Sequence, residues 1–394
     1  MEVGSGRRRL APTPHTVWDL PDDRADEAAA KADREIRLTD FLLFFAVPFA
    51  GVAVSSGRVP LNELAMIVLL AFCALRTPPT SLRLPTWAPI GIVLMFGTLT
   101  LSAFLNDVTA ERRLVHVVLY LGVVLALATG RVSLPSASAG MGTALVVVSG
   151  LGYIGLSTSA YTDRLTGYFS DPNVAAFYLT TLGAVSIAHL PWPRLRWILV
   201  LLFAAGVLLT LSRTGLLAAS FGLIWILVGR RLGVFGGAAL VSFLVWLVGN
   251  LPDQLRLFGP FSDRTGSDAL RERVINAELD LLRSAPIYGH GPGTSQVNVA
   301  DQTFFFHSSY LATRNEGGWI LLTVMLGLLA AAFVGLVTYG RRNDVRAVWC
   351  QVALLTTLAM AVTLGEVFLE MPTAIALGYA IRTRLMLQRE DGVP

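Results

Sequence analysis

The chain has 394 residues, 54% of them hydrophobic and only 15% charged, with a net charge of +4 and a mean hydropathy of +0.61. Soluble domains carry about 25% charged residues, and apolar runs recur here from Phe41 almost to the end, so a large soluble core is excluded and a polytopic membrane protein is indicated. The modest net charge gives no argument for nucleic acid, and Cys73 and Cys350 both sit in apolar runs, which reads as packing and not a disulfide framework.

Residues 1–38 are polar, with Arg7-Arg8-Arg9, an acidic patch from Asp19 to Glu27 and several prolines. No apolar run follows the basic start, so a signal peptide is not expected; the stretch reads as a disordered cytoplasmic tail. Backbone groups in lipid must be satisfied internally, and runs of roughly 15–22 apolar residues without alternation select helices over a closed barrel. About twelve spans are expected, near 41–56, 60–75, 87–105, 114–129, 138–157, 174–190, 197–212, 215–228, 233–250, 317–339, 347–365 and 368–383. The fold class is therefore all-α and polytopic, with a membrane domain over 39–384 and a cytoplasmic C-terminal tail over 385–394.

The arginines orient this map. With the N-terminus inside, every inner loop carries them: Arg76 and Arg83, Arg131, Arg194 and Arg196, Arg230 and Arg231, then Arg341, Arg342 and Arg346. That is the positive-inside bias, with the C-terminus also inside. The main exception is Arg112-Arg113 in a short outer loop. The longest loop, 251–316, falls outside, as do the turns at 158–173 and 212–214.

Three motifs share that outer face. Asp171-Pro172-Asn173 precedes the sixth span, where Asp and Asn are good capping residues and a substrate role for Asn173 is the alternative. Ser212-Arg213-Thr214-Gly215 joins two spans, and an arginine at a span end points to an anionic group, its guanidinium fork matching phosphate oxygens; the plainer reading is a helix-end anchor. In the long loop, Ser267 to Ser284 reads as a surface helix capped by Ser267. Its Arg271 and Arg273 point to different sides, because two helical residues lie about 200° apart. After Pro286 comes Gly289-His290-Gly291, either a phosphate cradle of exposed N–H groups or a plain tight turn. His307 then opens His307-Ser308-Ser309-Tyr310, ahead of Arg314 and Trp319 at the tenth span. An imidazole can accept a proton from a sugar hydroxyl, or serve only as a structural hydrogen-bonder. No Asp-x-Asp or His-x-x-x-His stands near these motifs, so neither a metal nor another cofactor is expected.

Together these residues resemble the O-antigen ligase and polymerase superfamily of bacterial membrane glycosyltransferases, over about residues 150 to 330. Gly167-Tyr168-Phe169-Ser170-Asp171-Pro172-Asn173 matches its Gly-x-Phe-x-Asp-Pro-Asn turn, and Ser212-Arg213-Thr214-Gly215 its Ser-Arg-x-Gly span end. Arg271 and Pro286 through Gly291 match its loop arginine and Pro-x-x-Gly-x-Gly, with Ile275 where the family usually has tryptophan. His307-Ser308 and Gly318 match its histidine motif, with Leu321 at that motif's end.

The resemblance implies a GT-C-like helical bundle that carries glycan from an undecaprenyl-diphosphate donor to a glycan or lipid acceptor outside the cytoplasmic membrane. It implies inversion at the anomeric carbon, without a metal. His307 would be the base, and Arg213 and Arg271 would hold the diphosphate. Asn173, Asp171, Arg273, Arg314, Gly289 and Gly291 complete the candidate substrate-binding set. The rival reading is a transporter or flippase of lipid-linked glycan, which requires ionisable residues along a path, His116 being the best candidate. A scaffold without catalysis is the third.

Overall fold

The computed structural model describes residues 35–54, 59–78, 84–156, 164–169, 171–249, 265–340 and 344–391. The expected tail up to residue 34 and the loop stretch 250–264 lie outside the described residues. The chain is mostly helical: α1 (Leu38–Phe45), α2 (Leu61–Leu75), α3 (Trp87–Leu105), α4 (Glu111–Ala128), α5 (Leu134–Tyr153), α6 (Pro172–Ala188), α7 (Pro193–Thr210), α8 (Arg213–Leu227), α9 (Gly233–Gly249), α10 (Thr265–Arg283), α11 (Ser309–Tyr339), α12 (Val345–Met360) and α13 (Met371–Glu390). Two antiparallel ribbons are added, β1 (Ala53–Val54) with β2 (Val59–Pro60) and β3 (Gln296–Val299) with β4 (Gln302–Phe305). Four helices, α3, α5, α7 and α11, are long and apolar enough to cross a membrane; among the described residues the others are shorter or less apolar.

Three elements differ from expectation. The first span, 41–56, is not one helix, because α1 stops at Phe45. Pro48 lacks an N–H and disfavours helical backbone at Val47, so the chain turns into the β1–β2 ribbon. The last helix, α13, runs on to Glu390, past the expected span end at 383 and through most of the expected tail 385–394; it packs against α4, α11 and α12, with Arg382 and Thr383 fully buried. A helix covered by protein need not match lipid. The long loop between α9 and α11 contains a β-hairpin as well as a helix, and Ser267, read as a cap, sits inside α10.

That hairpin and α10 form a small apolar core of their own around Val274, Leu282, Val297, Phe306 and Ala312. The loop docks on the bundle through a break in α11. Gly317 and Gly318 leave helical geometry, Gly318 at φ 68°, and a Cβ there would overlap the Ile287 carbonyl. At this break the His290 N–H donates to the Asn315 carbonyl (2.6 Å) and the Gly291 N–H to the Glu316 carbonyl (3.2 Å). From α3, Asn106 donates to the Gly289 carbonyl (3.0 Å) and Ser102 to the Glu316 carbonyl (2.8 Å).

A buried ion pair underlies the dock. Arg113 on α4 meets Glu316 at 3.1 Å and Glu366 at 3.2 Å, and Glu316 is only 2% exposed. The exception to the positive-inside bias thus has a local cause, since Arg113 neutralises carboxylates inside the protein. Replacing Arg113 by Ala strands Glu316 and should cost about 3–5 kcal/mol. The check is the melting midpoint in detergent; Arg112→Ala, on a neighbouring position, serves as the comparison.

Candidate active site

The first two motifs are one structural unit. Asp171 caps α6, its Oδ1 accepting the Asn173 N–H at 2.6 Å. The Asn173 side-chain carbonyl accepts from Ser212 Oγ at 2.7 Å, and Ser212 Oγ in turn accepts the Gly215 N–H at 3.1 Å, capping α8. The reversal from α7 to α8 takes only Leu211 and Ser212, and Leu211 adopts the left-handed conformation at φ 47°. A non-glycine residue held there is a local strain of the kind that collects at functional turns. Arg164 braces the same turn by donating to the carbonyls of Thr210 (2.9 Å) and Leu211 (3.3 Å). Arg213 consequently stands, half-buried, as the first residue of α8. A helix N-terminus already favours anions, and the guanidinium adds to that preference.

His307 stands between β4 and α11, 29% exposed. Its backbone N–H donates to Glu278 Oε1 at 2.7 Å, and its Nδ1 lies 3.3 Å from the same oxygen. Glu278, on α10, is fully buried, and its Oε2 has no hydrogen-bond partner among the described residues. Glu278 escaped the sequence reading although a signal existed: it interrupts the apolar stripe of Val274, Ala277 and Leu281 on the inward face.

The segment between α12 and α13 ties His307 to Arg213. Ser309, two residues after His307, donates through Oγ to the carbonyls of Leu364 (2.6 Å) and Gly365 (2.8 Å), and accepts the Val367 N–H at 2.7 Å. The Ser309 N–H donates to the Ala361 carbonyl at 2.9 Å. Gly365 lies so close to the Phe306 carbonyl that a Cβ would overlap it. On the other side of the segment, the Thr363 and Thr214 hydroxyls are hydrogen-bonded. The turn bearing Arg213 and the strand end bearing His307 are thereby fixed to the same few residues.

Other expected site residues have different duties. Gly289 and Gly291 do not offer a phosphate cradle: the N–H groups of residues 289 to 291 donate to the carbonyls of Pro286, Asn315 and Glu316. The turn docks the loop instead. Asp171 acts as a cap, and Arg314 lies over the Trp319 ring at 4.4 Å, an arrangement suited to anchoring at an interface. Arg273 is exposed. Arg271 lies seven residues before Glu278, within about 20° of two full helical turns, whereas Arg273 is about 140° round the helix. Position 271 therefore shares the helix face that meets His307.

Residues 198–324 match the family model of the O-antigen ligases. Over this stretch the chain is similar to the O-antigen ligase family. The stretch runs from α7 into α11 and includes Arg213, Arg271, Glu278 and His307, whereas Asn173 lies before it and is joined to it through Ser212. The family is one of ligase- or polymerase-type glycosyltransferases acting in a membrane. No curated protein matches the chain.

Ser212→Ala removes both the α8 cap and the bond to Asn173. The loss expected is about 1–2 kcal/mol, the size of a cap. It should appear as a lower melting midpoint, while Asn173→Ala, which spares the cap, should lower it less.

Proposed function

We propose that the protein transfers glycan from an undecaprenyl-diphosphate donor to an acceptor hydroxyl at the outer face of the bacterial cytoplasmic membrane. The observation that carries this reading is the polar seam of residues 361–367, which holds the Arg213 turn and His307 together within one end of the bundle. A topology of about twelve spans with both termini cytoplasmic accompanies the proposal, with the arginine bias as its support.

In the reaction, His307 Nε2 takes the proton from the acceptor hydroxyl as its oxygen attacks the anomeric carbon. The bond from that carbon to the phosphate oxygen breaks, and the diphosphate leaves with the bonding pair. Attack opposite the leaving group inverts the anomeric carbon. Arg213, helped by the α8 N-terminus, and Arg271 hold the growing charge in place of a metal ion. The helix register supports Arg271 over Arg273 for this task. Asn173 and Ser212 hold the Arg213 turn, which supports a positioning role for Asn173.

A transporter would use the polar residues near the outer end differently. His116 contacts Glu63 at 3.0 Å and the Leu369 carbonyl at 2.9 Å, so both ring nitrogens have partners within the protein. That favours a structural network over a permeation path.

The test is turnover of purified protein in liposomes with polyprenyl-diphosphate-linked oligosaccharide from the native host, product length being read on a gel. His307→Ala should lower turnover by about 10²–10⁴-fold, and Arg213→Ala by roughly 10–10²-fold, the worth of one charge-assisted contact. A ladder of products identifies a polymerase, and a single transfer that needs added acceptor identifies a ligase. Donor reaching the opposite leaflet without product overturns the reading in favour of a transporter.

A further inference from the structure

We infer that Glu278 is a positioning residue for His307, forming a carboxyl–imidazole pair that fixes which ring nitrogen meets the acceptor. The inference rests on the glycosyl-transfer reading and deepens it. A carboxyl group with no exposure is costly to bury unless it is fully hydrogen-bonded, and this one has an oxygen without a partner among the described residues. Such a group weakens packing, so its place on the inward face of α10, among Val274, Leu282, Val297 and Phe306, asks for another purpose.

The geometry supplies one. A single oxygen, Oε1, addresses both the backbone N–H and the Nδ1 of His307. The backbone bond locks the main chain on the carboxyl group. The ring bond, long at 3.3 Å, is of the kind that tightens only when substrate is bound. In this pair Glu278 acts as a carboxylate, which only accepts, so Nδ1 carries the hydrogen and Nε2 is the nitrogen that receives one. When the acceptor proton arrives at Nε2, the charge formed on the ring lies beside Oε1, which stabilises it. The proton stays on the imidazole, and Glu278 touches neither substrate.

Replacing Glu278 by Gln keeps an acceptor for the His307 N–H and removes the charge. In the liposome assay, Glu278→Gln should lower kcat by about 10²-fold with KM little changed, at a wild-type melting midpoint. Glu278→Asp, which keeps the charge on a shorter arm, should recover part of that loss. In a His307→Ala background, Glu278→Gln should cost nothing further, because its effect passes through the ring. Wild-type kcat in Glu278→Gln, a rise in KM alone, an additive loss in the double variant, or a lost melting transition would each overturn the assignment. If His307→Ala itself turns over like wild type, the base assignment fails and the pair falls with it. If His307→Ala is inactive while Glu278→Gln is fully active, only the pair falls.

Discussion

The end of the bundle that carries His307 depends on one hydroxyl. Ser309 Oγ donates to two carbonyls and accepts one N–H, all from the segment between α12 and α13. Helices in lipid gain little from burying apolar surface against one another, so their ends are held by close packing and by hydrogen bonds. Here the hydrogen bonds converge where the chain is least regular. Residues 361–370 are not helical, and backbone polar groups outside regular structure must find other partners. Ser309 accepts one N–H and shares its single proton between two carbonyls of this segment, which sets the height of His307, two residues earlier in the chain. Arg113 completes the fixation from the other side by pairing with Glu366 in the same segment and Glu316 at the α11 break.

This arrangement explains which parts of the molecule were legible in the sequence. Apolar runs gave helices because each run reflects a local rule, the need to satisfy backbone groups within a segment. The α10 helix followed from the helical spacing of Leu270, Val274, Ala277 and Leu281, which is equally local, whereas its expected cap at Ser267 lies inside the helix. Long-range pairings were not legible. Glu278 and His307 are separated by a helix end, a glycine turn and a hairpin, and nothing in the spacing announces that they meet. Arg113 looked like a topological anomaly because its carboxylate partners lie about 200 and 250 positions away in the chain. The glycine turn misled in an instructive way: Gly289 and Gly291 do permit a tight turn, but its N–H groups face the broken helix instead of an open cavity. The α1 helix was overestimated because mean hydropathy is blind to Pro48.

The C-terminal end of α7 illustrates how a long apolar helix is made to deliver a charge. The helix is apolar, and at its C-terminal end three devices act within a few residues: the left-handed Leu211, the Arg164 bonds to the last carbonyls, and the Ser212 cap of the next helix. Together they reverse the chain with almost no loop. A longer loop would let Arg213 fold back toward water. The short reversal instead makes Arg213 the first residue of α8, so that its charge belongs to the positive end of the helix. The strain at Leu211 is tolerable because Arg164 and Ser212 compensate for it locally.

The proposed reaction joins a donor buried by its lipid tail to an acceptor that approaches from water, and the placement of the residues answers to that constraint. A diphosphate cannot be drawn into hydrocarbon, so its binding groups are best placed at helix ends, and Arg213 is the first residue of α8. The base must reach an aqueous acceptor, and His307 is partly exposed at the junction of the small loop core with the bundle. An exposed imidazole is free to turn, however, and a base that turns presents the wrong nitrogen. The loop core solves this by holding the ring from beneath through a carboxyl group that water does not reach. The β3–β4 hairpin then has a purpose: it gives α10 something to pack against, and that packing sets Glu278 at the height of His307. On this view the outer loop is a rigid mount for one side chain, and its docking through Gly318 and Arg113 matters to the chemistry as much as the arginines that bind the leaving group.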